Sequence, residues 1–278
     1  MITLISIIIL VLSILLTPLF VYIFDIFKVK YIWLIILIFI GLYIVLLALY
    51  FVFLFIVSLF INKKKVYTKQ NKFNHFLTIQ TMQLLLQMFR AHVKTSGLEM
   101  VPHDQKYLLV YNHTSNFDPI IQSYVLRKDN VIHISKPSNF DIPIGGPISY
   151  RDCYIPINRE NDREALKTII FASKFISNQE FSVSVSPEGT RNKGDVNKLL
   201  PFRDGCFRLA LYAKCPIVVC ELYKARDIAK NAPWKRTNVE MNVLKVLTYD
   251  EIKDKKTSEI GSIVNNLLQD KINSRLEK

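Results

Sequence analysis

Two stretches of the chain carry no charge at all, residues 2–24 and residues 31–61. Both are apolar around the full turn of a helix, with no polar stripe to face water. About 20 such residues cross the hydrocarbon core of a bilayer. The first stretch therefore predicts one span, and the second a longer one that crosses with tilt or continues as helix beyond the membrane. Only "DIFKVK", residues 25–30, separates them. The pattern predicts a transmembrane or membrane-embedded helical hairpin over residues 1–62; a shallow hairpin that enters and leaves one leaflet fits it too. A cleaved leader is not expected, because no Lys or Arg precedes the first run and no A-x-A site follows it.

From residue 66 the period changes. In "VYTKQNKFNHFLTIQTMQLLLQMFR" (66–90), Phe73, Phe76, Leu77, Ile79, Met82 and Leu86 recur at helical spacing. This is a helix with one greasy face, suited to packing on a domain or to lying in the bilayer interface. Residues 63–91 are predicted to be an amphipathic interfacial helix and linker. Beyond them, short apolar runs alternate with helical patterns. "YLLVY" (107–111), "VIHIS" (131–135), "CYIPI" (153–157), "FSVSVS" (181–186) and "PIVVCELY" (216–223) predict strands, and "NVEMNVLKVLTY" (238–249) predicts a further strand pair with nearby residues. "DPIIQSYVLR" (118–127), "REALKTIIFASKFISN" (163–178), "FRLALYAK" (207–214) and "SEIGSIVNNLLQDKIN" (258–273) predict helices. Residues 92–278 are thus an α/β domain, a mixed, largely parallel sheet flanked by helices.

Charge adds a direction. The loop between the two apolar stretches holds Lys28 and Lys30, whereas Lys63, Lys64, Lys65, Lys69 and Lys72 follow the second stretch. That imbalance places the long C-terminal part on the cytoplasmic side. The formal net charge is +13; residues 1–62 hold two lysines and one aspartate, so +12 belongs to the remainder. A basic domain beside a bilayer is drawn to anionic headgroups. Nucleic-acid binding is the poorer reading, because the basic residues are scattered and not interleaved with aromatic ones. Cys153, Cys206, Cys215 and Cys220 form no C-x-x-C and no zinc spacing with histidine, and their apolar neighbours predict buried, reduced thiols.

Sites in α/β sheets collect where strands end, and four polar clusters fall there. Asn112-His113 follows the first strand, with Asp118 opening the next helix. Asn158-Arg159 follows "CYIPI". "SPEGTRN" (186–192) follows "FSVSV", and "LPFRDGCFRLA" (200–210) precedes the next strand. The His–Asp spacing alone is one that composition readily supplies; four clusters at equivalent places are not. In "SPEGTRN", Pro187 ends the strand and Gly189 can take a positive φ. Successive N–H groups there could cup an anion, and Arg191 offers a fork of donors suited to phosphate. Glu188 would bond a hydroxyl or hold an arginine. An ordinary turn with a surface salt bridge is the bland alternative. His75, His92, His103 and His133 are expected to be packing or surface residues.

Taken together, these clusters resemble the glycerolipid acyltransferase family. Its N-H-x-x-x-x-D block matches Asn112, His113 and Asp118; its arginine block matches "YIPINR" with Arg159; its F-P-E-G-T-R-S block appears as "SPEGTRN"; its fourth block appears as "CPIVVC". "KTSGLEMVP" and "LPFRDGCFRLA" also look like the family's linking text. The resemblance covers roughly residues 92–250. Ser186 stands where Phe is usual, Asn158 where Asp is common, "RDC" where a glycine-containing turn is usual, and Cys220 where Pro is. The resemblance implies that His113 is a general base oriented by Asp118, and that Arg159, Glu188, Gly189, Thr190 and Arg191 hold the phosphate and glycerol of an acceptor. Lys136 assists with charge on the phosphate or the oxyanion. It implies transfer of an acyl group from acyl-CoA or acyl-carrier protein to lysophosphatidate at an anionic bilayer surface, with no bound cofactor or metal. Glycerol-3-phosphate or another lysophospholipid is the close alternative acceptor, and a non-catalytic membrane adaptor the distant rival. No G-x-S-x-G elbow is present, which favours direct transfer over a covalent acyl-enzyme.

Overall fold

A computed structural model describes residues 3–26 and 31–277. In chain order its elements are α1 (Leu4–Ile23), α2 (Ile32–Leu59), α3 (Lys72–Met88), β1 (Ala91–Ser96), β2 (Leu108–Tyr111), α4 (Asp118–Val125), β3 (Val131–Ser135), α5 (Gly145–Arg151), β4 (Ile155–Pro156), α6 (Asp162–Ser177), β5 (Ser182–Val185), α7 (Arg208–Ala213), β6 (Ile217–Tyr223), α8 (Asp227–Asn231), β7 (Thr237–Leu247), α9 (Tyr249–Ile252) and α10 (Thr257–Asn273).

The four residues of β2 are all buried, as an unbroken apolar run demands when a strand is covered on both faces. The strand lies at the centre of a seven-stranded sheet of order β1-β7-β6-β2-β5-β3-β4. β2 pairs parallel with β5 (Leu109 beside Ser184) and with β6 (Leu109 beside Val218). β3 continues the parallel set, joined to β5 on one side and β4 on the other. One face of the sheet buries Leu108, Val110, Val183 and Val219 with Phe175 and Ile176 of α6, Leu209 of α7 and Val264 and Leu268 of α10. The other buries Leu109, Tyr111 and Val218 with Leu86 of α3 and Ile121 of α4. The mixed, largely parallel sheet between helices is thus as the alternation predicts.

Four elements differ from the expectation. The segment read as a strand pair near 238–249 is one eleven-residue strand, β7, antiparallel to β6; no Gly or Pro interrupts it, so nothing turns the chain. Its other edge pairs parallel with β1, an element with a mostly exposed, polar pattern that hid it from hydropathy. α5 falls where no element was expected; it begins with Gly145, Gly146 and Pro147, and Pro is tolerated in a helix's first turn, where its missing N–H has no partner to lose. "CYIPI" shortens to Ile155–Pro156 at the sheet edge, because Pro156 cannot donate to a ladder.

α1 and α2 are long and apolar enough to cross a membrane. At 1.5 Å per residue, the 20 residues of α1 match a hydrocarbon core about 30 Å thick. Ser6, Ile9, Ser13, Thr17 and Val21 form its buried stripe, and the Ser13 and Thr17 hydroxyls donate to the carbonyls of Ile9 and Ser13 at 2.8 and 2.7 Å. The other faces carry exposed leucine, isoleucine and phenylalanine. α2 has 28 residues, and its surplus length docks on the domain. Leu54 is fully buried with Leu77 of α3 and Ile148 of α5. Both open ends of the hairpin meet α3: the Leu4 N–H donates to Gln80 Oε1 at 3.0 Å, and the Tyr50 and Thr81 hydroxyls lie 2.8 Å apart. The two ends therefore sit on one side of whatever the hairpin crosses. Lys28 and Lys30 of the connecting loop lie outside the described residues.

Candidate active site

Where β2 runs out of sheet, Asn112 extends it with its side chain. Nδ2 donates to the Leu222 carbonyl at 3.0 Å and Oδ1 accepts from the Leu222 N–H at 2.8 Å. The amide therefore acts as one more strand residue facing β6, and it fixes the backbone that carries His113. The chain then turns into α4, whose first residue is Asp118, followed by Pro119 in the first turn. Three donors converge on Asp118 Oδ2: the N–H groups of Thr114 and Ser115 at 2.9 and 2.8 Å, and His113 Nδ1 at 2.8 Å. A backbone N–H can only donate, so Oδ2 is an unprotonated oxygen and Nδ1 carries the hydrogen it shares. Nε2 is left as the acceptor nitrogen, and it makes no hydrogen bond among the described residues. The imidazole is 19% exposed while Asp118 is fully buried.

Burial pushes the Asp118 carboxyl above the usual carboxylate range, and His113 with the Ser115 and Thr114 amides pulls against it. Oδ1 has no partner among the described residues. Beneath the pair lies Tyr111, whose ring meets the imidazole edge-on at 5.8 Å between centroids. Burial, and then the Asp118 charge, raise its phenol well above the usual value.

The "SPEGTRN" loop follows β5 and meets the same strand end. Glu188 turns inward and is buried. Its Oε1 accepts the His113 N–H at 2.7 Å and its Oε2 accepts the Leu200 N–H at 3.1 Å. Its partners are thus two backbone amides, not an arginine, and it clamps the loop to the base. Burial raises its carboxyl, and the two amides lower it. Gly189 has φ +66, as a turn glycine should, and its N–H closes the turn on the Ser186 carbonyl at 3.1 Å. The amides of Thr190 and Arg191 keep no partner among the described residues, so only part of the expected cup stays open.

Arg159 reaches across from the end of β4 and donates through Nη1 to the Gly189 carbonyl. Burial lowers its pKa, Tyr111 opposes that, and Arg203 adds to it. Arg203 donates to the Arg159 carbonyl at 2.6 Å, and its own N–H bonds the Pro187 carbonyl at 2.7 Å. Arg191 donates to Asn116 Oδ1 at 2.7 Å. The structure thus joins His113, Asp118, Glu188, Gly189, Arg159 and Arg191 around one strand end. Thr190 is exposed on the same loop. Lys136 is exposed after β3 and bonds none of the others. Tyr111, Asn116 and Arg203 belong to the cluster and were not assigned roles from sequence; Arg203 alone gave a signal, as one of the two arginines of "LPFRDGCFRLA".

Of the other histidines, His92 is exposed on β1 and the remaining three make local contacts. His133 is buried beside Ser123 Oγ at 3.0 Å, and burial pushes it down to about 3. His75 and His103 meet Asp152 and Asp129 at 3.0 and 2.6 Å. The four cysteines are buried and free. No group of three or more His, Cys, Asp or Glu is placed to hold a metal among the described residues.

At the mouth of the parallel strands the site thus combines a histidine held by a buried carboxylate with neighbouring arginines, an arrangement chemically capable of proton transfer beside an anion. Residues 92–222 match the Acyltransferase family model. The chain is 34% identical over 126 residues to the 1-acyl-sn-glycerol-3-phosphate acyltransferase of Haemophilus influenzae, covering 43% of this chain and 51% of that one. It is 32% identical over 114 residues to the Escherichia coli protein of the same name, covering 41% and 45%. The chain thus spans about half the length of these curated relatives. Its fold is that of the crystal structure of the 1-acyl-sn-glycerophosphate acyltransferase from Thermotoga maritima, with a TM-score of 0.62 over 83% of this chain and 90% of that one at 16% identity.

Proposed function

We propose that the protein transfers a fatty acyl group from an acyl thioester to the free hydroxyl of 1-acyl-glycerol-3-phosphate, forming phosphatidic acid. The observation that carries this reading is the His113–Asp118 pair, with Nδ1 held at 2.8 Å and Nε2 unpartnered among the described residues. Nε2 takes the proton of the hydroxyl as its oxygen attacks the thioester carbonyl. Asp118 holds the imidazole and balances the imidazolium. When the tetrahedral adduct collapses, the C–S bond breaks, the proton on Nε2 passes to the departing sulfur, and the base is neutral again. The products are an ester and a free thiol. No side-chain nucleophile is needed, in keeping with the absence of a G-x-S-x-G elbow.

Arg159 and Arg191 supply charge to the acceptor's phosphate, with the open amides of Thr190 and Arg191 beside them; Lys136 serves at longer range. Glu188 and Gly189 shape that subsite from behind. The hairpin of residues 1–62 anchors the protein in the bilayer from which a lysophospholipid is drawn, and the lysines from Lys63 to Lys72 keep the domain of residues 92–278 at the cytoplasmic surface among anionic headgroups. The helix and linker of residues 63–91 joins the two. The name shared by the relatives supports the acceptor. The test is purified full-length protein in micelles with lysophosphatidate, glycerol-3-phosphate and other lysophospholipids, offered acyl-CoA and acyl-carrier protein, with products identified by mass. Phosphatidic acid is the expected product; no transfer to any acceptor contradicts the proposal.

A further inference from the structure

A cavity of about 590 Å³ opens beside the base on the β6 side. Asn112 and Thr114, the residues on either side of His113, form part of its wall. Arg159 and Gly189 stand on the other side, toward β5 and β4. The volume falls in the range of small-molecule sites, roughly 300–1,000 Å³. We infer that this cavity receives the phosphorylated pantetheine arm of the acyl thioester, so that donor and acceptor approach His113 from opposite sides. The inference rests on the acyl-transfer reading and extends it to the second substrate.

The charge of the wall points to an anion. Four basic residues line it (Lys224, Arg226, Lys230 and Arg275) against two acidic ones, Glu221 and Asp227. Glu221 is already matched, because Arg275 reaches both its oxygens at 3.1 and 3.0 Å. That guanidinium also stacks on the Tyr223 ring at 4.0 Å, which makes a rigid back wall. Arg226 donates to the carbonyl of Gly194 at 2.9 Å and ties down the loop that brings Val196 and Asn197 to the cavity. Lys224 and Lys230 are exposed, and no ion pair joins either to a carboxylate among the described residues. Lys224 sits at φ +60, a backbone conformation that a side-chain-bearing residue adopts at a cost. Its exposed ammonium lies 5.2 Å from the Tyr223 ring. Leu222 and Ile272, both buried, supply apolar wall, and buried Asn112 and Thr114 supply polar wall next to His113. A thin arm with a phosphate at its outer end and a thioester at its inner end fits this lining, in which the cations Lys224 and Lys230 are exposed and the apolar and amide groups next to His113 are buried.

The test compares full-length protein with the double variant Lys224→Ala/Lys230→Ala, in micelles. Binding of coenzyme A and of free phosphopantetheine is measured by calorimetry. KM is measured separately for acyl-CoA, acyl-carrier protein and lysophosphatidate. Removing these two charges is expected to weaken binding of the arm and raise the donor KM by roughly tenfold. The lysophosphatidate KM should stay put, and Lys224→Arg/Lys230→Arg should restore the donor KM. A rise for both thioesters assigns the cavity to the arm they share, and a rise for one alone overturns the inference, because the shared arm is then not what the cavity holds. Unchanged coenzyme A and phosphopantetheine binding with unchanged KM for both donors overturns the inference, as does a rise confined to lysophosphatidate. Wild-type protein that binds coenzyme A through these lysines yet acylates no acceptor would sink the acyl-transfer reading and leave the cavity assignment standing.

Discussion

Arg203 donates to the backbone carbonyl of Arg159 at 2.6 Å, while Arg159 itself donates to the carbonyl of Gly189. Arg203 therefore braces the backbone of Arg159, whose guanidinium in turn closes on the Gly189 loop, so that Arg203 acts through Arg159. Hydrogen bonds to charged groups are worth about 1.5–3 kcal/mol, or roughly 10- to 150-fold in a binding constant. Arg159→Ala should raise the KM for lysophosphatidate within that range and leave the donor KM near its wild-type value. Arg203→Ala should raise the same KM by less, because the Arg159 guanidinium is kept but its backbone is freed. Steady-state kinetics with each substrate varied in turn checks both. A loss confined to the acyl donor would mean that the arginines serve the other substrate.

Asp118→Asn separates orientation from charge. The introduced amide can accept from the Thr114 and Ser115 amides but cannot balance an imidazolium, so kcat should fall by about 10³–10⁴-fold. Stability should move the other way with pH. Burial raises the Asp118 pKa in the folded state above its ordinary 3.8. The folded protein therefore holds this proton more tightly than the unfolded chain. Wild-type stability falls as pH rises from 3.8 through the raised value, and the loss then stays constant. The amide of the variant has no such proton, so the Tm of the variant relative to wild type should climb across that window. Thermal unfolding at a series of pH values measures the difference; a flat difference contradicts the burial account.

Much of this was legible in the sequence because the signals were local. The apolar run of β2, the alternation of strand and helix, and the polar clusters after strands all follow from residues near one another in the chain. β1 was hidden because an edge strand need bury little, and only its pairing with β7 gives it a reason to exist. The inward turn of Glu188 was hidden for a related reason: its partners, the amides of His113 and Leu200, lie 75 and 12 residues away. A carboxylate in a glycine loop gives no sign of whether it faces a ligand or the protein's own backbone. Tyr111 read only as core, and it is core; its place under the imidazole comes from the strand's end, not from its type.

The hairpin and the domain share a small core. Leu54 is fully buried between Leu77 and Ile148, so Leu54→Ala should cost about 2–5 kcal/mol where the site cannot collapse. In micelles this predicts a lower Tm and faster proteolysis in the linker of residues 63–71, with the His113 site unaltered. Removing residues 1–62 altogether uncovers Leu77 and Ile148 and should lower solubility unless detergent is supplied. A truncated protein as soluble and stable as the full chain would show that this core contributes nothing.

His113→Ala tests the central claim most directly. The imidazole is partly exposed at the end of β2 and makes one side-chain hydrogen bond, to Asp118, so its removal should leave the circular-dichroism spectrum unchanged. General-base removal costs about 10²–10⁴-fold. The measurement is phosphatidic acid formed per enzyme per second by purified wild type and His113→Ala at saturating lysophosphatidate and acyl-CoA. The account predicts a folded variant with turnover lower by at least about 10²-fold and a lysophosphatidate KM close to that of wild type. A folded variant that turns over at the wild-type rate would contradict it.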